Sequence, residues 1–302
     1  MMYDCCIIGG GPAGLNAALV LGRARRKVAL FDDAQPRNAV THASHGFLTR
    51  DGVKPAEFRR IAYEEVLRYP SVEHWQHRVA AIRSVGSGFE VVTESGGSVR
   101  TKKVILAYGF KESFPEIAGF RQFYGQSLFN CPYCDGWELR DQALVVIAEE
   151  PRAFHMAQTV YNWSKDLVVC TNGHQVFSEE QKQELGRANI RIMEQPIAAF
   201  KGTDGLLEEL QFVDGTSLQR TGGFIIPKLI PKGTFGADLG CELTEAGGVV
   251  TDVLGRSSVP GVYAAGDAAE TMASQLIMAA AGGSKAAMAV NADLIEEEWK
   301  GQ

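Results

Sequence analysis

Two cysteines separated by two residues stand near the middle of the chain, in the segment Cys131-Pro-Tyr-Cys134-Asp135-Gly. Thiols at this spacing can close a small disulfide ring, and Asp135 places an ionisable group beside the second thiol. A Cys-x-x-Cys pair in a chain without a secretory signal is usually redox-active or metal-binding. Zinc needs two further soft ligands at similar spacing, which the other cysteines do not provide. Redox chemistry is the favoured interpretation; a metal site and an inert turn are the alternatives.

The elements that must position this chemistry begin at the start of the chain. A short apolar run at residues 5–8 predicts a buried parallel strand, residues 15–25 predict a helix, and residues 28–31 predict a second strand. Between the first strand and the helix stands a glycine-rich turn whose candidate cofactor-binding residues are Gly9, Gly11, Pro12, Ala13 and Gly14. One glycine allows the tight turn, one lets backbone approach a pyrophosphate, and one brings helix and strand together. The pattern predicts a dinucleotide site.

Further candidate cofactor residues lie outside this turn. Asp32 follows the second strand, about 20 residues after the turn, where a carboxylate can accept hydrogen bonds from ribose hydroxyls, and Asp33 stands next to it as a further candidate. The polar loop at residues 35–52 could wrap the ribityl or ring portion of a cofactor, although for its histidines a solvated loop is the alternative. The remaining candidates stand in that loop, at the start of a strand predicted at residues 79–82, in later turns, and at the start of a helix that the alternation of small and apolar residues predicts at 275–295. They are Arg37, Asn38, His45, Val79, Ala107, Gly109, Gly266, Asp267 and Gln275.

A second strand-helix-strand unit follows the cysteines, with strands at residues 143–147 and 167–170 and a helix at 152–163. When it is laid on the first unit, the glycines are gone and Glu149 and Glu150 stand where backbone should approach a phosphate. Both carboxylates would repel a pyrophosphate and obstruct its approach. The second strand ends at residues 171–174 without the arginines that accept a 2′-phosphate. We expect a pyridine-nucleotide scaffold whose site is damaged or repurposed.

The motifs Gly9 to Gly14, Ala107-Tyr-Gly109, Cys131 to Gly136 and Ala265-Gly-Asp267, in this order, resemble the low-molecular-weight thioredoxin reductase family over essentially the whole chain. The resemblance implies an α/β fold of two Rossmann-like domains with three ββα layers. It also implies FAD bound by residues 1–113 and 224–302, a smaller dithiol domain at 114–223 with a degenerate NAD(P)H-binding-like fold, and a homodimer. The surroundings of Arg37 and His45 are closer to a branch that includes dithiol oxidases.

By this resemblance, Cys134 lies against the flavin, Cys131 forms a mixed disulfide with the substrate, and Asp135 moves the proton of the leaving thiolate. The expected partner is a thioredoxin-like protein or a small-molecule disulfide or dithiol. Because of Glu149 and Glu150, we expect ferredoxin or another donor in place of NADPH. A dithiol oxidase that uses oxygen and a flavin-binding redox sensor are the alternative functions.

Composition excludes other classes of function. The 302 residues carry a formal charge of −6 and have a sequence pI of about 5.6, which argues against a nucleic-acid-binding face. No apolar run approaches the ~20 residues that span a bilayer, and the first residues contain no basic segment typical of a signal peptide. We therefore expect a cytoplasmic protein with no nucleic-acid or membrane partner.

Overall fold

The computed structural model describes residues 2–269 and 275–301. Its strands are, in chain order, β1 Met2–Ile8, β2 Val28–Phe31, β3 Val72–Trp75, β4 Val79–Val85, β5 Gly88–Thr93, β6 Ser98–Leu106, β7 Phe110–Ser113, β8 Leu128–Phe129, β9 Leu144–Ile147, β10 Leu167–Cys170, β11 Arg191–Met193, β12 Ile197–Thr203, β13 Leu206–Phe212, β14 Ser217–Gln219, β15 Gly222–Ile225, β16 Lys228–Pro231 and β17 Val262–Ala264. Its helices are α1 Pro12–Arg23, α2 Pro55–Val66, α3 Phe120–Phe123, α4 Pro132–Asp135, α5 Ala153–Val160, α6 Glu179–Arg187, α7 Phe235–Asp238 and α8 Leu276–Lys300. The predicted α/β class is confirmed.

The chain divides into two compact units. The first comprises Met1–Ala39, Gly46–Glu112 and Leu229–Gln302, and the second comprises Val40–His45 and Ser113–Lys228. The expected boundary at residue 224 falls inside β15, which pairs on one side with β8 and on the other with β9. Backbone hydrogen bonds therefore keep β15 in the second unit, and the chain returns to the first unit only after it.

A seven-stranded sheet forms the first unit, in the order β3-β2-β1-β6-β5-β4 with β17 also paired to β6. The strands β1, β2, β3, β6 and β17 are parallel, and β4 and β5 complete an antiparallel meander with β6. Cys5 and Cys6 are fully buried in β1, as the apolar run at residues 5–8 predicted. Burial raises the pKa of Cys6 to about 12, so this thiol stays protonated.

Helices α1 and α8 pack closely because small residues line their contact. A Cβ added at Gly283 would lie 2.0 Å from the carbonyl oxygen of Ala13, so only glycine fits there. The amide of Asn16 crosses the same contact and donates to the carbonyl oxygen of Ala280 at 2.9 Å. The predicted small-residue helix at 275–295 is confirmed and runs further, to Lys300.

The second unit contains a parallel five-stranded sheet, in the order β11-β10-β9-β15-β8, and a separate antiparallel sheet of β12, β13 and β14. The predicted strand-helix-strand unit is confirmed as β9, α5 and β10. The two strands at which the chain leaves and re-enters the first unit, β7 and β16, pair with each other. None of the described helices is both long and apolar enough to cross a membrane.

Candidate functional site

A cleft of about 600 Å³ in the first unit opens over the glycine turn between β1 and α1. Gly9 has a left-handed backbone with φ +118°, and a Cβ there would lie 2.2 Å from the carbonyl oxygen of Ala107. A Cβ at Gly14 would lie 1.8 Å from the carbonyl oxygen of Gly9. A Cβ at Gly11, by contrast, would meet nothing within 4 Å. The protein's own packing therefore requires Gly9 and Gly14, whereas the space beside Gly11 suits a ligand.

The N-terminus of α1 supplies the electrostatics of this cleft. Gly11 is the N-cap residue and has no side chain to accept from the N–H groups of the first turn, and Pro12 begins the helix. Helix α1 starts three residues earlier than expected because proline at the first position needs no N–H partner. First-turn N–H groups and the helix dipole together favour an anion such as a pyrophosphate.

The two aspartates after β2 have different surroundings. Asp32 is buried, accepts a hydrogen bond of 2.6 Å from the Tyr63 hydroxyl, and forms an ion pair with Arg59. Burial alone would raise the pKa of Asp32, but these bonds outweigh burial and lower it, so the carboxylate is charged. Asp33 is half-buried, lines the cleft, and accepts from the backbone N–H of Gln35 at 3.2 Å. Asp32 thus anchors α2 to the end of β2, and Asp33 is the better placed for a ribose hydroxyl.

Arg37 ties together two carboxylates that come from distant parts of the chain. Its guanidinium lies 2.8 Å from Oδ2 of Asp267 and 3.1 Å from Oε1 of Glu112. The cleft thereby gathers segments that are more than 200 residues apart. The predicted cofactor residues that line it are Gly9, Gly11, Pro12, Ala13, Asp32, Asp33, Arg37, Asn38, Val79, Ala107, Gly109, Gly266 and Asp267.

Three predicted cofactor residues do not line the cleft. Gly14 packs against the backbone of Gly9. Gln275 is the N-cap residue of α8, and its side-chain amide lies 3.1 Å from the point that a Cβ on Gly46 would occupy. His45 belongs to the second unit. Conversely, Lys232 lines the cleft and donates to the carbonyl oxygen of Gln35 at 2.6 Å, which no local pattern in the sequence predicted. Burial lowers the pKa of Lys232.

In the second unit, Cys131 and Cys134 form a closed disulfide with their Cα atoms 5.3 Å apart. Cys131 is the N-cap residue of the helical turn α4, and its carbonyl oxygen accepts from the N–H groups of Cys134 at 3.0 Å and Asp135 at 3.2 Å. A Cβ on Gly136 would lie 2.5 Å from the carbonyl oxygen of Pro132 and 2.7 Å from the ring of Trp163, so the end of the turn has room only for glycine. Across the described residues 2–269 and 275–301, no group of three or more His, Cys, Asp and Glu side chains could hold a metal ion.

Asp135 has the properties of a proton carrier. Burial raises its pKa, Glu138 raises it further, and His45 opposes both, with a resulting value of about 7. His45 Nε2 lies 3.7 Å from Oε1 of Glu138. A carboxyl group that titrates near neutral pH can both give and take a proton during thiol exchange.

The turn after β9 holds carboxylates that are bound to neighbours. Glu149 Oε1 accepts from the amide of Asn172 at 2.5 Å, and the Oδ1 of Asn172 accepts from the N–H of Ile197 at 2.8 Å. His174 Nε2 lies 3.8 Å from the other oxygen of Glu149. Glu150 forms an ion pair with Arg152. Side chains therefore stand where the first unit presents bare backbone.

Comparisons with known proteins agree with this architecture. The family model described as "Pyridine nucleotide-disulphide oxidoreductase" matches residues 3–287. The "Thioredoxin reductase sirT" of Leptosphaeria maculans is 32% identical over 96% of this chain and 94% of its own length. The "Putative Thioredoxin Reductase TrxB" of Bacillus anthracis is 46% identical, with a TM-score of 0.94 over 98% of this chain and 99% of that one. The chain therefore belongs to the pyridine nucleotide-disulphide oxidoreductase family, as a thioredoxin reductase-like enzyme of the kind that uses a flavin.

Proposed function

We propose that this protein is an FAD-dependent dithiol–disulfide oxidoreductase that cycles the Cys131–Cys134 disulfide between the flavin and a thiol or disulfide substrate. The observation that carries the proposal is the closed disulfide beside Asp135, whose pKa is about 7. The cleft of the first unit supports FAD, because the space beside Gly11 and the first-turn N–H groups of α1 suit its pyrophosphate. Asp33 would accept from the ribose, and Asp267 from the ribityl chain.

When bound, the flavin supplies a carrier for an electron pair. We assign Cys134 to exchange electrons with it and Cys131 to form the mixed disulfide, as the resemblance implies. Asp135 gives a proton to the sulfur that leaves and takes it back in the reverse direction. A homodimer, as in the resembled family, belongs to the same proposal.

The surface beside the disulfide supports a substrate with apolar groups. Tyr133, between the two cysteines, is 71% exposed, and its ring meets Trp163 edge-on with centroids 5.5 Å apart. Trp137 is 65% exposed and carries the guanidinium of Arg140 over its ring, 4.1 Å from the centroid. Exposed aromatic rings are frequent anchors in recognition. A thioredoxin-like protein and a small-molecule disulfide or dithiol both fit this description.

The family is named for a pyridine nucleotide, but two carboxylates of this chain disfavour such a nucleotide as the electron donor. A carboxylate at about 4 Å from a phosphate costs about 4 kcal/mol at an effective dielectric of about 20, before screening. Two such groups, Glu149 and Glu150, would lower the affinity for NADPH about a thousandfold or more, since ~1.4 kcal/mol is a tenfold change. Arg152 offsets part of this repulsion. We propose that NADPH and NADH reduce the flavin inefficiently and that ferredoxin or another protein donor replaces them.

The same obstruction favours a second candidate function, a dithiol oxidase that passes electrons from a dithiol through the flavin to oxygen. Such an enzyme needs no nucleotide, and it would form peroxide in proportion to the dithiol consumed. A redox sensor would instead react once and fail to turn over. Multiple turnover with a thiol substrate therefore separates an enzyme from a sensor, and peroxide formation identifies the oxidase.

The test is anaerobic stopped-flow spectroscopy of the flavin band with NADPH, NADH, reduced ferredoxin and a dithiol as separate reductants. We expect slow or negligible bleaching by millimolar nucleotide, and rapid bleaching by ferredoxin or by the dithiol. Rapid, saturable bleaching by micromolar NADPH would overturn the proposed donor and would show that the protein is an NADPH-dependent reductase. Absence of flavin from the purified protein would overturn the proposed cofactor.

A further inference from the structure

Lys232 joins the three chain segments that form the first unit. It follows β16, its backbone N–H donates to the carbonyl oxygen of Gly109 at 3.1 Å, and its Nζ donates to the carbonyl oxygen of Gln35 at 2.6 Å. Gln35 is also held through its N–H, which donates to Oδ1 of Asp33 at 3.2 Å. The ammonium group of Lys232 is therefore fixed at the wall of the cleft, on the loop that carries Asp33.

The charge of Lys232 differs from the other charges of the cleft. Among the described residues, the lysine and arginine side chains that line the cleft are Arg37, Arg59, Arg78, Lys111 and Lys232. Each of the three arginines forms an ion pair with a carboxylate, and Lys111 is exposed to solvent. Lys232 is only partly exposed, and the described part of the chain offers its Nζ the neutral carbonyl oxygen of Gln35 and no ion pair.

A cation that is partly withdrawn from water without a counter-charge is destabilised in its charged form. Burial accordingly lowers the pKa of Lys232. An anion that enters the cleft would restore the lost stabilisation. The ammonium group has three N–H donors, of which one is used by Gln35, so two can meet the oxygens of a ligand. Oxidised FAD carries its negative charge on the pyrophosphate.

We propose that the ammonium group of Lys232 binds a pyrophosphate oxygen of FAD, in addition to the N–H groups at the start of α1. The inference rests on the proposed function and extends its cofactor site. Two contacts favour the pyrophosphate over the flavin ring. Gly109 follows Ala107, whose carbonyl oxygen lies 2.2 Å from the point that a Cβ on Gly9 would occupy. Gln35 is bonded to Asp33, the residue proposed to accept from the ribose. Lys232 is thus tied to the glycine turn on one side and to the ribose-binding loop on the other.

The experiment measures the release of FAD from the full-length holoprotein, as the rise in flavin fluorescence after dilution. The proteins are the wild type, Lys232→Met, Lys232→Gln, Lys232→Arg and Lys228→Met. Lys228→Met is the matched control, since Lys228 is an exposed lysine of β16 outside the lining of the cleft. Rates are taken at about 50 mM and about 500 mM KCl, between which the screening of charges increases strongly. Circular dichroism establishes the fold of each variant, and the midpoint potential of the flavin is measured on the same proteins.

At the lower salt concentration, we expect Lys232→Met to release FAD about tenfold faster than the wild type, the scale of one charge-assisted hydrogen bond. Lys232→Gln, which keeps a donor but no charge, should behave like Lys232→Met. Lys232→Arg should stay closer to the wild type, and Lys228→Met should equal it. The ratio of Lys232→Met to wild type should become smaller at high salt, because screening weakens the attraction only where the cation is present. The midpoint potential should not change, since the pyrophosphate keeps its charge when the flavin is reduced.

A ratio that salt does not change would mean that Lys232 only holds the loop at Gln35, and it would overturn the inference. Equal release from Lys232→Met and the wild type would do the same. A lowered midpoint potential without faster release would assign the ammonium group to the flavin ring and exclude the pyrophosphate. The flavin content of the purified wild type tests the proposed function separately, because a wild type that contains FAD leaves that function standing whatever the variants do.

Discussion

The turns after β1 and after β9 share one backbone plan and present opposite surfaces to a ligand. After β1, Gly11 leaves open space in front of a helix N-terminus. After β9, Glu149 is bonded to Asn172 and Glu150 is paired with Arg152, so side chains occupy the equivalent region. A strand-helix-strand scaffold is therefore kept by its own core packing. Its ligand depends on a few residues at the turn.

The largest expected effect is the loss of flavin on substitution in the glycine turn after β1. Gly11→Glu should give apoprotein, because the new carboxylate and its side chain would take the space and reverse the electrostatics that suit a pyrophosphate. The measurement is the ratio of flavin absorbance to protein, with circular dichroism to establish that the fold is kept. Glu180→Gly, on exposed surface of the second unit, is the control. Normal flavin content in Gly11→Glu would remove this turn from the cofactor site.

Removal of the carboxylates from the turn after β9 should improve the reaction with NADPH. The double variant Glu149→Ala, Glu150→Gly removes both repulsive charges, and we expect NADPH to bleach its flavin at least tenfold faster than in the wild type. Recovery should be incomplete because arginines for the 2′-phosphate are absent at residues 171–174. The anaerobic flavin-bleaching assay measures it, with Glu180→Ala as the control. No gain would mean that features other than these two charges exclude the nucleotide.

Asp135→Asn should slow thiol exchange by about a hundredfold or more, the scale of general acid–base catalysis. Stability gives a second readout with a definite sign. Because the folded pKa of Asp135 is raised from 3.8 to about 7, the carboxylate form is penalised in the folded state. That contribution favours folding at low pH and is lost as the pH rises through about 7. Relative to the wild type, Asp135→Asn should gain unfolding free energy between pH 4 and pH 8.5. Unchanged turnover would exclude Asp135 from the mechanism.

The smallest expected effect is spectroscopic and separates the two cysteines. Cys131→Ser leaves a thiolate at Cys134 that can form a charge-transfer band with oxidised flavin, if Cys134 is the one that faces it. Cys134→Ser should lack the band and still trap a substrate as a mixed disulfide at Cys131. Absorbance beyond the main flavin band and mass spectrometry measure the two properties. The opposite pattern would reverse our assignment of the pair.

The sequence predicted elements whose local pattern is strong. The buried strands β1, β2, β9 and β10 were expected because their apolar runs are short and bounded by turn residues, and the helix α8 because small and apolar residues alternate over a long stretch. The glycine turn was predictable because its close contacts are local or involve another motif. Gly14 packs against Gly9, and Gly9 packs against Ala107, which belongs to the Ala107-Tyr-Gly109 motif. The boundary between the two units was less predictable. It depends on β15, which belongs to the second unit because it pairs with two strands that are distant in sequence.

The chemistry available to this protein is already present in the amino-acid sequence: the Cys131–Cys134 pair beside Asp135, the glycine turn after β1, and the carboxylates in the turn after β9. Tertiary structure alone decided which groups meet. It engaged Asp32 with Arg59 and Tyr63, brought Lys232 to a loop 197 residues away, and carried His45 to Glu138. The physical reason is that such contacts depend on where distant backbone segments pack, as at Gly125 against Val40, and side-chain types in a linear pattern do not encode that distance.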